Sequence, residues 1–202
     1  MCSVYEIGKL KGNVPLKLDA NDPAIKEALR NIRLIRRTDK APVCVAGEGM
    51  VPMRWGYERP GLGVVNNARS ENLGSTMWRE SYAERRCLIP MAAFYEWSGP
   101  KGEKRTHRFT SPGGGLLWAA GIWEESAQLG RCYSMLTTSP NAVMEPIHNR
   151  MPALLAEQEL EPYLEGALDK FTPAPELLCV HDAPNPLRKK RAPDEQGELN
   201  FE

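Results

Sequence analysis

Four short segments of this 202-residue chain carry side chains whose types and spacing could do chemistry. The first is Met1-Cys2. Methionine aminopeptidase removes Met before a small residue, which would leave Cys2 with a free α-amine beside its thiol. That amine has a reference pKa of about 7.7–8.0, against about 10.4 for lysine, so a useful fraction is neutral at physiological pH. A neutral amine attacks an aldehyde to give an imine, and the neighbouring thiolate can close on the imine carbon to a five-membered thiazolidine. The bland alternative is a small residue at position 2 by chance, and Cys2 alone does not exclude it. The second segment is Asn66-Asn67-Ala68-Arg69-Ser70-Glu71. An Asn amide can hold a backbone group or a sugar oxygen, and the Arg fork fits phosphate. A solvated loop with an ion pair explains the same residues.

The third is Phe94-Tyr95-Glu96-Trp97, a carboxylate among three aromatic residues. Pointing inward, Glu96 would be desolvated, its pKa raised and its carboxyl suited to moving protons. Pointing outward, it is an edge-strand glutamate; alternation along the strand leaves both open. The fourth is Ile147-His148-Asn149-Arg150-Met151-Pro152, which holds one of only three histidines. His148 titrates near neutrality and could protonate a sugar ring oxygen, or it could close a helix end. Arg150 could bind phosphate or lie in solvent.

Taken in order, the segments resemble one family. An N-terminal Met-Cys, then Trp55-Gly56-Tyr57, Asn67-Ala68-Arg69-x-Glu71, Arg86-Cys87-Leu88-Ile89-Pro90, Phe94-Tyr95-Glu96-Trp97, Ala119 to Glu124, Leu136-Thr137-Thr138 with Asn141, and Ile147 to Pro152 are similar to the series found in the SRAP (SOS response-associated peptidase) family. The resemblance runs from Cys2 to about Pro152. It implies a sensor of abasic sites in single-stranded DNA, whose N-terminal Cys crosslinks to the open-chain aldehyde as a thiazolidine and shields the lesion. By the same resemblance Asn67 holds Cys2, Glu96 shuttles protons, His148 acts on the sugar oxygen, and Arg69 contacts the DNA backbone; by residue type, Arg150 and Trp55 are expected to join Arg69 on the DNA face. The chain departs from the family pattern in Cys2-Ser3-Val4-Tyr5 at its opening, in Ile35 to Pro42, and in Glu58 to Gly63, which lacks the expected Trp. These departures fall on DNA-contacting loops more than on the reaction centre.

Two readings of other classes compete. A cysteine peptidase, cleaving itself or other proteins, would use a Cys, a His and an Asn. A non-catalytic single-stranded nucleic-acid module would use Trp55, Trp97 and basic residues for stacking and phosphate binding.

Elements must position these residues. Asp22-Pro23 before Ala24–Arg33 reads as a capped helix. Leu34 to Trp55 breaks into short apolar runs that suit strands. Ser70 to Arg86 reads as a polar loop entering a short helix. Cys87–Trp97, Leu116–Glu125 and Cys132–Thr138 read as three strands, with turns in Ser98–His107 and Ser111–Gly115. Ser139-Pro140 repeats the cap-then-Pro signal, and Ala156–Leu168 reads as a late helix. The irregular order predicts an α+β fold, a single domain of curved, mainly antiparallel, barrel-like sheet with a few peripheral helices. The domain is expected over residues 1–180, followed by a charged, partly disordered tail over 181–202.

Bulk composition narrows the class. Lys plus Arg and Asp plus Glu are 26 each, so a DNA-binding face must be a local patch. The five cysteines are widely spaced with no Cys-x-x-Cys pair, which argues against a disulfide framework or zinc site; no metal or cofactor is expected. Cys44, Cys87, Cys132 and Cys179 lie in apolar runs and read as core residues. No run approaches the roughly 20 apolar residues of a membrane span, and the first residues offer no secretion signal, so a cytoplasmic, monomeric protein is expected. In the tail, Gln196, Leu199 and Phe201 have the spacing of short sliding-clamp-binding peptides, a candidate tether to a replication clamp.

Overall fold

Short β-branched and aromatic runs punctuated by Gly and Pro favour strand over helix, and the fold is accordingly built on sheet. The structure is a computed structural model and describes residues 2–8 and 33–188. The helix expected at Asp22–Arg33 and the Gln196–Phe201 motif lie almost wholly, and wholly, outside the described residues.

The larger sheet comprises β3 (Lys40–Val45), β4 (Gly49–Trp55), β7 (Asn67–Arg69), β8 (Arg86–Met91), β11 (Leu117–Ser126), β12 (Gly130–Thr138), β13 (Met151–Pro152) and β14 (Leu154–Leu155). Its strand order β12-β4-β3-β8-β11 returns to β12, because β12 also pairs with β11; five strands therefore close into a barrel. Closure removes the exposed edges that an open sheet would carry. Pairing is antiparallel except where β12 runs parallel to β4 and to β7. The smaller sheet runs β15-β10-β9-β1-β2, with β1 at Val4–Ile7, β2 at Arg33–Arg36, β9 at Ala93–Ser98, β10 at Arg105–Thr110 and β15 at Cys179–Asp182. A two-stranded ribbon, β5 (Tyr57–Arg59) with β6 (Gly63–Val65), and two short helices, α1 (Arg79–Glu84) and α2 (Glu157–Leu164), complete the regular structure among the described residues.

The core lies inside the barrel and between it and the smaller sheet. Every residue of β8 is buried, so this strand is covered on both faces. Cys44, Cys87 and Cys132 are core residues, and Cys179 is half-buried. Gly121 of β11 is required by packing: a Cβ there would stand 2.8 Å from Ile89 Cδ1 and 2.9 Å from Cys87 Sγ. From the smaller sheet, Tyr5, Ile7, Ile35, Phe94 and Phe109 join this core, and the Phe94 and Phe109 rings stack at 4.8 Å.

Three expectations are refined. The run Cys87–Trp97 is two strands, because the chain leaves the barrel at Ala92, whose amide donates to Glu6 O at 2.8 Å, and enters the smaller sheet as β9. The segment Ser98–His107 is a turn only as far as Lys104; from Arg105 it is strand β10. The cap-then-Pro signal at Ser139 leads into turns rather than a helix. There Asn141 Oδ1 accepts from the amides of Val143 and Met144, both at 3.1 Å, and Pro146 has no N–H with which to extend a helix. Strand β15 crosses residue 180, so the sheet takes in His181 and Asp182.

Candidate functional site

Cys2 precedes β1, which lies between β2 and β9 in the smaller sheet. The antiparallel register, with Tyr5 opposite Phe94, runs the chain start alongside Tyr95–Trp97. Cys2 is 1% exposed, and its thiol donates to Val4 O at 3.5 Å. Burial, reinforced by the negative charge of Glu96, pushes this thiol well above the ordinary cysteine range. At neutral pH the sulfur therefore carries its proton, and any attack by it needs a base nearby.

The barrel grips Cys2 by its backbone. Asn67 Nδ2 donates to Cys2 O at 2.8 Å and Asn66 Nδ2 to the same oxygen at 3.4 Å. Both asparagines are held in turn: β7 pairs with β12 in parallel, with Asn67 opposite Met135, and Asn66 O accepts from the Met135 amide at 3.1 Å and from Trp55 Nε1 at 2.8 Å. Trp55 is fully buried, so as placed it offers no ring face to a nucleic-acid base. It packs between Tyr5, edge-on at 5.1 Å, and Tyr133, stacked at 6.3 Å, while the Tyr5 and Tyr133 hydroxyls hydrogen-bond at 2.6 Å. This aromatic cluster ties β1 to β4 and β12. Gly56, at φ 106°, lets the chain turn tightly past it: a Cβ would meet Val64 Cγ1 at 2.8 Å and Asn66 Cβ at 3.2 Å.

Glu96 points inward. It shares the face of Phe94 on β9 and is 3% exposed, whereas Tyr95 turns to the other face and donates to Glu6, which also accepts from Arg108 Nη2 at 2.6 Å. Burial pushes the Glu96 carboxyl above the ordinary glutamate range, and nearby positive charges, those of His148 and Lys104 among them, pull part of the way back. His148 reaches the same carboxylate from the β12–β13 connection, with Nε2 4.0 Å from Glu96 Oε2. Its Nδ1 lies 3.0 Å from both the amide nitrogen and the carbonyl oxygen of Arg150. When the ring is neutral and Nδ1 accepts from the amide, its one proton stands on Nε2, facing Glu96.

The structure thus brings Cys2, Asn67, Glu96 and His148 together from four elements distant in sequence. Arg69 stands at the end of β7, opposite Thr137, and is exposed. Arg150 is engaged within the protein: its Nη1 and Nη2 meet Glu71 Oε1 and Oε2 at 2.8 and 2.9 Å, and Nη2 also donates to Thr137 O at 2.6 Å. This fork locks the His148 turn to the short 3₁₀ turn Ser70–Asn72 that follows β7. Residues the sequence reading did not single out are Asn66, Tyr5, Tyr133 and Lys104. The Asn66-Asn67 doublet was the one available signal, since both amides donate to Cys2 O.

Chemically, the cluster offers a buried carboxyl whose pKa burial raises, an imidazole beside it, and a thiol whose proton a base must take. The chain belongs to the SOS response associated peptidase (SRAP) family, whose model matches residues 1–188. It is 34% identical over 127 residues to the Bacillus subtilis abasic site processing protein YoqW, covering 55% of each chain. It is 32% identical over 146 residues to the B. subtilis abasic site processing protein YobE, covering 65% of each. The chain thus spans between half and two-thirds of the length of these relatives. A solved structure of a Bordetella bronchiseptica protein superposes with a TM-score of 0.72 at 20% identity, over 91% of this chain and 100% of that one, which establishes the shared fold. Among the described residues no helix is long and apolar enough to cross a membrane.

Proposed function

We propose that this protein processes abasic sites in single-stranded DNA by joining Cys2 to the open-chain aldehyde of the lesion as a thiazolidine. The observation that carries the reading is buried Glu96 with half-buried His148 4.0 Å from it, beside a cysteine whose backbone is clamped by Asn67. The names of the relatives agree with the substrate.

The steps balance as follows. Removal of Met1 exposes the Cys2 α-amine. His148 Nε2–H gives its proton to the ring oxygen of the abasic sugar while the anomeric hydroxyl proton returns to the imidazole by way of solvent, so the hemiacetal opens to the aldehyde and His148 ends unchanged. The neutral amine adds to the carbonyl carbon, and protonated Glu96 gives its proton to the departing hydroxyl, releasing water and leaving an iminium. The Cys2 sulfur then bonds to the iminium carbon as Glu96, now a carboxylate, takes the thiol proton. One carbon–nitrogen and one carbon–sulfur bond form, one water leaves, and Glu96 ends as it began. A carboxyl with its pKa raised by burial suits both halves of that exchange. Asn67 keeps the cysteine backbone in place throughout, Arg69 is the phosphate contact, and Arg150 acts on the DNA face through the Glu71 and His148 turns it holds together.

The test is incubation with a single-stranded oligonucleotide containing one abasic site, followed by denaturing electrophoresis. A heat-stable band with abasic but not intact DNA supports the reading. Retention on both DNAs without a covalent band would make it a binding module, and turnover of a peptide probe without a DNA adduct would make it a peptidase.

A further inference from the structure

The smaller sheet carries a second feature that the chemistry above does not use. A groove of about 510 Å³ opens along the β9–β10 turn and the chain after β15, lined by Gly102, Lys104, Arg105, Thr106, Asp182 and Arg188, among others. Its cations are Lys104, Arg105 and Arg188, all exposed, and no ion pair among the described residues engages them. Asp182 is the one lining carboxylate, and it faces His107, with Nδ1 3.5 Å from Oδ1.

The floor of this groove is tied across three strands. His107 Nε2 hydrogen-bonds Ser98 Oγ at 2.7 Å, so β9, β10 and β15 are joined through one imidazole. Beyond it, the Ala183 amide donates to Thr106 O at 3.0 Å, which holds the chain leading to Arg188 against β10. Arg105 therefore sits on a braced strand, and Arg188 lies at the end of a segment anchored to that strand at Ala183.

The groove lies on strands that also carry part of the candidate reaction centre. His107 stands opposite Glu96 in the β9–β10 ladder, and Arg105 opposite Ser98. By strand alternation Glu96, Ser98, Arg105 and His107 share one face. Arg105 is two residues from His107, so the groove begins about 7 Å along the strand from the register of Glu96. Lys104 is near enough for its charge to act on the Glu96 carboxyl.

We infer that this groove binds the phosphodiester backbone of the DNA strand flanking the lesion, with Arg105 and Arg188 as phosphate contacts outside the reaction centre. A strand whose abasic sugar sits at Glu96 and His148 would carry its next phosphates along the shared face toward Arg105 and on to Arg188. Exposed guanidiniums with no ion pair among the described residues fit phosphate.

The inference rests on the proposed function, and the experiment separates the two. Binding of an undamaged single strand of about twenty nucleotides is measured against salt for the full chain and for the double variant Arg105→Ala/Arg188→Ala. Each lost phosphate contact lowers the slope of log K against log salt by about 0.7 on a single strand, so the double variant should lose about 1.4. Arg188→Glu should weaken binding more than Arg188→Ala. On a very short abasic oligonucleotide, too short to reach the groove, the crosslinking rate of the double variant should match the unmodified protein. An unchanged salt slope overturns the groove whatever happens to crosslinking. Absence of crosslinking in the unmodified protein overturns the proposed function and leaves the salt measurement standing as a test of the groove alone.

Discussion

Two glutamates, each in one of the motifs, occupy opposite environments, and the contrast separates chemistry from scaffolding. Glu96 is buried near Cys2, 3% exposed, beside an imidazole rather than a guanidinium. Glu71 lies on the rim, half-exposed, and takes the bidentate fork of Arg150 at 2.8 and 2.9 Å. Burial raises the Glu96 carboxyl, and the positive charges around it only partly reverse this. At Glu71 a slight burial pushes upward too, but its own amide and the Arg150 fork win, and the carboxyl is held below its usual range. One carboxyl is poised to exchange a proton; the other stays ionised and holds a turn. The same side chain is assigned to catalysis or to architecture by its surroundings.

The largest expected effect that sharpens this contrast is kinetic. Glu96→Gln should slow adduct formation by about 10²-fold or more, the lower range for a positioned acid–base group, and His148→Ala should act similarly. Glu71→Gln should leave the chemical step within a few-fold at saturating DNA. Single-turnover rates on abasic single strands check all three, and equal losses in Glu96→Gln and Glu71→Gln would erase the distinction. Asn67→Ala comes next: loosening the backbone clamp should reduce the rate, by less than Glu96→Gln, without changing the final adduct.

The smaller expected effect concerns stability against pH, and here the two sites should differ in sign. The folded Glu96 pKa is above the unfolded value of about 4.3, so the folded state holds more protons in that window and stability falls as pH rises through it. The folded Glu71 pKa is below the unfolded value, so its contribution is present above about pH 4.3 and is lost as pH falls through the folded value. Denaturant midpoints measured from pH 3 to 7 should therefore show Glu96→Gln gaining on the unmodified protein toward higher pH and Glu71→Gln losing. The Glu71 effect should be no more than about 1 kcal/mol, since half of that side chain faces solvent. Two difference curves of the same sign would contradict the environments described.

Most of the strands were legible in the sequence because alternation, β-branched residues and Gly or Pro breaks are local signals. The α+β barrel-like class followed from their irregular order. What was not legible depended on contacts between distant segments. The split of Cys87–Trp97 into β8 and β9 arises because β1 draws the chain out of the barrel at Ala92. Strand β10 was hidden because Arg105, Thr106, His107 and Arg108 are polar; they form a strand through pairing with β9 and β15. Within the site, the motif spacing pointed to Asn67, Glu96 and His148, but whether Glu96 faced inward was undecided until its neighbours Phe94 and Tyr95 were seen on opposite faces. Trp55 reads from its type as a stacking platform, whereas tertiary packing makes it the post that holds Asn66. Arg150 was equally ambiguous, because its partner Glu71 is 79 residues away.

The most direct test of the central claim is intact mass spectrometry of the product formed with a single-stranded abasic oligonucleotide, run in parallel on the protein and on Cys2→Ala. The account predicts a mass equal to protein lacking Met1 plus the oligonucleotide less one water, stable to heat without a reductant, and no such species for Cys2→Ala. A heat-stable adduct in Cys2→Ala, or an adduct in which Met1 or a blocked α-amine is retained, would contradict it.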